Sequence, residues 1–166
     1  NEFLQTKDIS FLKDQNFMVY TGNTPPNIEG IYILDSLRST FNSIEKETGE
    51  IVSYRIQIYD QKNDTVALKF LSLESKDTSG GVGAFISGEN NCFTVFVDEK
   101  GISANGCKYN TSSIISGCMA EKGIQNYEES SIMKNKEDKA ICDEASLMPV
   151  GNIRIKEEED KLAEKE

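Results

Sequence analysis

Histidine is absent from all 166 residues. That absence removes the Ser-His-Asp triad, the Cys-His pair and histidine-ligated zinc. Carboxylates dominate what remains, with 28 Asp and Glu against 18 Lys and Arg for a formal charge of −10. Two carboxylates on either side of a glycosidic bond can hydrolyse it without histidine, provided apolar surroundings pull their pKa values apart. Glu29 and Asp35, flanking the apolar run at 31–34, come nearest to that requirement, whereas nearly every other acid sits in a turn or on a polar strand face. No catalytic residue is assigned on this basis, and the chain is expected not to be an enzyme. Glu157-Glu158-Glu159-Asp160 and the stretch from Asp60 to Asp64 could gather oxygens for a hard cation. Neither has the glycines and alternation that wrap a loop round an ion; the first reads as a solvated tail and the second as a hairpin turn. No metal and no cofactor is expected. The negative balance also argues against nucleic acid, whose phosphates are bound by Lys and Arg.

The four cysteines, Cys92, Cys107, Cys118 and Cys142, contain no CxxC pair. An even count without metal or redox spacing fits disulfides in an oxidising compartment, or else small buried hydrophobes in a reducing one. Two hairpin registers compete. A tight turn at Asp98-Glu99-Lys100-Gly101 sets Cys92 almost opposite Cys107, and a long loop to Ser112 sets it near Cys118. The Asp-x-x-Gly turn chemistry favours the first.

Aromatic residues are the remaining chemically useful group. Tyr32, Tyr54, Phe70, Phe85, Phe93 and Phe96 all lie on segments with strand texture. If the sheet closes on itself, Tyr32, Tyr54, Phe70, Phe85 and Phe96 are the candidate walls of a pocket for a small apolar or amphipathic ligand. The competing reading is that these rings fill the core, because eight strands enclose a space only just wide enough for side chains.

The elements that must position these residues are readable from periodicity. Residues 6–17 carry a helical pattern, with Thr6 or Asp8 to cap it and Ile9, Leu12 and Asn16 on one face beside Phe11 and Phe17. Gly22 and Pro25-Pro26 then force an extended path. Strand texture follows at 31–37, at 53–58 with Tyr54, Ile56 and Ile58 on one face, and at 66–70, 82–87, 92–97, 112–120, 124–133 and 151–156. The polar stretches at 40–50, 99–111 and 134–144 read as loops, and loops on a rigid scaffold support an alternative function, contact with a protein or glycan. The charged residues from 157 onward read as a short exposed helix or a frayed end. Eight segments with mostly short turns predict an all-β fold, an eight-stranded antiparallel meander closed into a barrel, with a two-sheet sandwich as the competitor. At this length one domain is expected, over 6–157, followed by a charged tail at 158–166. The longest apolar runs are three or four residues against the roughly 20 that span a bilayer as a helix.

Four stretches, PPNIEGIY at 25–32, CFTVFV at 92–97, IISGCMAEKGIQN at 114–126 and SLMPVGNIRIKEEEDKLAE at 146–164, resemble in order and spacing a family of lipoproteins of Bacteroides-type Gram-negative bacteria. The resemblance implies a lipocalin-like (calycin-type) barrel with a short N-terminal helix, placed outside the cytoplasm at the cell envelope. It also implies a lipid-bearing cysteine upstream of Asn1 as the one membrane attachment and residues 1–5 as the linker from it. A monomer is expected. Relatives carry Asp-Gly-Asp-Gly where this chain has Glu158-Glu159-Asp160-Lys161, a departure that weakens a metal site further. Gly30-Ile31-Tyr32 and Arg154 also resemble the Gly-x-Trp opening and closing Arg of lipocalins. On that likeness Arg154 is expected to lie over or near Tyr32, closing the first strand on the last.

Overall fold

The computed structural model describes residues 6–145 and 147–166, with side chains from Ser10 onward. The expected linker at 1–5 lies outside the described residues, as do the side chains of Thr6, Asp8 and Ile9. Helix α1 (Thr6–Asp14) precedes a run of strands: β1 (Gly30–Asn42), β2 (Ile51–Lys62), β3 (Thr65–Ser72), β4 (Thr78–Glu89), β5 (Cys92–Ile102), β6 (Lys108–Ala120) and β7 (Gly123–Lys136). A short helix α2 (Lys139–Asp143) then leads to β8 (Ile153–Glu158) and β9 (Leu162–Lys165). Consecutive strands from β1 to β8 pair antiparallel, except that β8 also pairs with β1, so the hydrogen-bonded sheet closes on itself in a barrel-like ring.

The last position in that ring is shared. β8 pairs with β1 at Leu37–Asn42 and with β7 at Glu128–Ile132, while β9 pairs with the other ends of the same two strands, at Tyr32–Ile33 and Gly123–Gln125. Between them the chain steps out, with Lys161 at φ 64 and its carbonyl accepting from the Asn126 amide at 2.7 Å. The expectation of a helix or frayed end beyond 157 is therefore corrected. The segment is templated from both sides by β1 and β7, which supply ladder partners that its own weak β-propensity does not earn alone, and Ala163 is fully buried.

The two ends of the ring differ. Two-residue turns join β2 to β3, β4 to β5 and β6 to β7, with Asn63 and Asn90 at φ 52 and 59 as tight hairpins demand. This end is plugged by the segment before β1. Ile28 is wholly buried, its amide donates to Gln61 Oε1 at 2.9 Å, and its carbonyl accepts from the Tyr32 hydroxyl at 2.9 Å. The other end carries the longer connections at 43–50, 73–77, 103–107 and 137–152. The polar stretches expected to be loops are thus shorter than their composition implied, because β1, β5, β6 and β7 run into them.

Helix α1 lies outside the ring. Leu12 and Phe17 pack on the outward side chains Ile114 and Ile155, and the Phe11 ring meets Phe41 edge-on at 5.3 Å between centroids. Inside, the inward positions change character along nearly every strand. Toward the plugged end they are apolar: Tyr32 and Leu34, Ile56 and Ile58, Leu68, Ile86, Phe93 and Val95, Ile115, Ile124 and Tyr127 form one packed core. Toward the open end the same period-two positions become Ser39, Ser72, Glu99, Ser113, Thr111, Glu129, Ser131 and Lys156. Irregularities change the phase along the way, among them those at 35–36 in β1, at 82–83 in β4 and around Asn126 in β7, where φ is 52.

Two disulfides are present, Cys92–Cys118 and Cys107–Cys142. The favoured Cys92–Cys107 register is corrected: β5 does not turn at Asp98–Gly101 but continues to Ile102, which brings Cys92 opposite Cys118. Gly101 is needed for another reason. It faces Tyr109 across the ladder, and a Cβ there would come 2.1 Å from the Tyr109 ring.

Candidate functional site

The polar half of the interior is not filled. A cavity of about 570 Å³ opens between the long connections, within the usual range of small-ligand sites. Its walls combine Tyr54, Phe70, Tyr109 and Met133 with hydroxyls of Ser72, Ser79, Thr111, Ser113 and Ser131. The Cys107–Cys142 bridge anchors α2 to the turn after β5, and Asn105 Nδ2 adds a 2.9 Å bond to the Ile141 carbonyl. Glu144, Ala145, Leu147 and Met148, which follow α2, border the opening, so this staple holds part of the rim in place.

The floor of the cavity carries fixed charge. Lys156 is 7% exposed; its ammonium lies 3.6 Å from Glu129 Oε1 and 4.9 Å from the centre of the Tyr54 ring. Burial works against that ammonium, but Tyr54 and Glu129 outweigh it and hold its pKa above the ordinary lysine value, so it is charged at neutral pH. The other oxygen of Glu129 accepts from the buried Tyr127 hydroxyl at 3.0 Å. Glu99 is 6% exposed, and its Oε2 accepts from the Ser79 hydroxyl at 2.6 Å. Burial raises its pKa, Ser113 and Ser79 oppose the rise, neighbouring Glu129 adds to it and the Lys156 ammonium works against it. The Tyr109 hydroxyl is also pushed up, by burial first and then by Asp77 and Glu99, so it stays a donor across the physiological range.

Nearer the rim, Arg154 binds Glu45 at 2.7 Å and Glu50 at 3.3 Å, and its Nε is buried without a partner. Glu45 is held below the usual carboxylate range by its bonds to Asn42 and Arg154, against some desolvation. Away from the cavity, in the packed half, the wholly buried Glu158 accepts at Oε1 from both the amide and the hydroxyl of Ser36, each at 2.7 Å.

The structure separates the residues read from sequence. Tyr54 and Phe70 line the cavity. Tyr32 instead fills the packed half. Phe85 and Phe96 point outward and stack on each other at 5.9 Å, with Phe85 40% exposed. Their phase is set by Ile86, Phe93, Val95 and Val97, which occupy the interior; in the nearly continuous apolar run at 92–97 either phase looks amphipathic. The Arg154–Tyr32 contact is also corrected. Arg154 is registered with Asn42 at the far end of β1, whereas Tyr32 is registered with Lys165, and Gly30 starts β1 at the plugged end. Glu29 and Asp35 are both exposed and line no part of the cavity. Glu99, Glu129, Lys156, Tyr109 and Ser79 were not singled out from sequence. Continuing the period from Phe93, Val95 and Val97 by one more step reaches Glu99, which is the signal that marks it as inward.

Comparison with protein-family models, characterised proteins and solved structures gives no match to this chain.

Proposed function

We propose that this chain is a non-enzymatic binding domain, a lipocalin-like barrel that holds one small amphipathic molecule in its interior. The observation that carries the reading is the cavity itself, about 570 Å³, open at one end only and walled by aromatic rings beside fixed polar groups. The plug at Ile28 and the packed apolar half beneath the cavity support a pocket with a floor, as opposed to a channel. The two disulfides fit an extracytoplasmic location, in line with the envelope placement that the resemblance to lipoproteins implies.

Native mass spectrometry of the protein purified from its own host tests this. The expected result is a co-purifying small molecule that is lost in Ser131→Phe, which fills the cavity. Protein that carries nothing, and takes up nothing from an extract of small amphipathic molecules, contradicts the reading. A second reading is favoured by Ile44, Ile51, Ile102, Ile141 and Val150, which sit on or beside the connections at the open end and are each at least 40% exposed. In it the rim contacts a protein or glycan. Polar substitutions at Ile44 and Ile51 that abolish partner capture while leaving ligand uptake intact separate the two.

A further inference from the structure

The charge lining the cavity is unbalanced. Glu50, Glu74, Asp77 and Glu144 border it toward the opening, and Glu99 and Glu129 stand deeper, against Arg154 and Lys156 alone among the described residues. Both cations are already engaged, Arg154 by Glu45 and Glu50 and Lys156 by Glu129. A concave wall of one sign with low-dielectric sides focuses the field and concentrates the opposite charge inside. Glu99 is the sharpest point of this imbalance. Its side chain is almost wholly buried, is bonded by the Ser79 and Ser113 hydroxyls, and makes no direct ion pair among the described residues; the cation that acts on it, Lys156, is the one Glu129 already holds. Burial without a directly bonded counter-charge disfavours the ionised form of Glu99, and a cation bound against it restores that form. The nearby rings of Tyr54, Phe70 and Tyr109 suit an apolar or aromatic body, and their faces also attract a cation.

We propose that the cavity selects an amphipathic molecule carrying a protonated amine, with its ammonium against Glu99 and its apolar body against Tyr54, Phe70 and Tyr109. The inference rests on the cavity being a small-molecule site. An anionic ligand is disfavoured by the same geometry, since reaching Lys156 brings it against Glu129, which already holds that ammonium. A neutral ligand finds hydroxyls but leaves Glu99 without its counter-charge.

Isothermal titration of the oxidised protein with three probes of matched shape, tryptamine, tryptophol and indole-3-acetate, separates these cases. The amine is expected to bind roughly 10- to 100-fold more tightly than the alcohol, the span that a charge-assisted hydrogen bond supplies, and the carboxylate is expected to bind weakest. In Glu99→Gln the amine and the alcohol are expected to bind alike. Should that variant not fold, the ratio of amine to alcohol in the wild-type protein decides by itself. Alcohol or carboxylate binding as tightly as the amine overturns the amine inference while leaving the cavity a binding site, as does a Glu99→Gln variant that keeps the full preference. No binding by any of the three overturns the amine inference together with the small-molecule reading for ligands of this shape.

Discussion

Replacing Lys156 by Met removes a buried ammonium while keeping most of its length and shape, so it isolates the electrostatics of the cavity floor. The ammonium stands 3.6 Å from Glu129, and the two side chains are 8% and 13% exposed. At an effective dielectric constant of about 20, two unit charges at that separation attract by about 4 to 5 kcal/mol. In the wild type much of this offsets desolvation that both groups already bear. In Lys156→Met the carboxylate of Glu129 still bears it with only the Tyr127 hydroxyl for support, so the expected loss is about 3 to 4 kcal/mol. For a chain of this size that lowers the Tm by roughly 6 to 16 °C. Urea unfolding at pH 7, followed by far-ultraviolet circular dichroism, measures it. The double variant Lys156→Met/Glu129→Gln, in which the amide still accepts from Tyr127, is expected within about 1 kcal/mol of wild type. A loss under about 1 kcal/mol in the single variant, or a double variant as damaged as the sum of the two singles, refutes the claim that this pair is buried and coupled.

Three further outcomes are expected. Removing Cys92–Cys118 or Cys107–Cys142 by paired Ser substitution frees sequence separations of 26 and 35 residues and costs about 3 to 4 kcal/mol each by loop entropy. Only loss of the second is expected to increase hydrogen exchange across α2 and the rim. Glu128, whose carboxylate accepts from the Met18 amide at 2.6 Å, is pushed up to about 7 by burial, with Met18 opposing and Glu157 reinforcing the shift. Because the folded state then binds more protons than the unfolded chain between about pH 4.5 and 7, wild-type stability declines as pH rises through that window; Glu128→Gln removes the decline and is expected to be the more stable by about 1 to 2 kcal/mol at pH 8, allowing for solvent screening, with no difference at pH 4. Gly101→Ala drives a methyl into the Tyr109 ring; a loss of about 1 to 3 kcal/mol and an altered near-ultraviolet tyrosine signal check it by denaturation and circular dichroism.

The strands were readable where apolar and polar residues alternate strictly, as in Tyr54, Ile56 and Ile58 or Val66, Leu68 and Phe70, because period two is a direct consequence of the pleat. Phase was harder to read. In the run at 92–97, Phe93 and Phe96 have equal claim to the interior until the neighbouring strands are known, and the irregularities at 35–36 and Asn126 reset the count in a way no local pattern reveals. Charge was the most misleading signal. Glu158 lies in a stretch whose composition reads as solvated and Lys156 closes the strand texture just before it, yet both point inward because β8 is held between β1 and β7. Gly101 looked like turn chemistry, and its real constraint, the Tyr109 ring, comes from a residue eight positions away that only the hairpin brings near. The candidate site was therefore half visible: its aromatic walls Tyr54 and Phe70 were, and its charged floor was not.

Whether the interior cavity takes up a small molecule is decided by an NMR titration of the oxidised protein with tryptamine. Saturable shifts are predicted at Val52, Ser79, Thr111 and Met133, which line the cavity, with none at Ile58 or Val95 in the packed half or at Val82 on the outer surface. Shifts confined to the outer surface, or no shifts at any concentration the probe's solubility allows, would contradict such uptake.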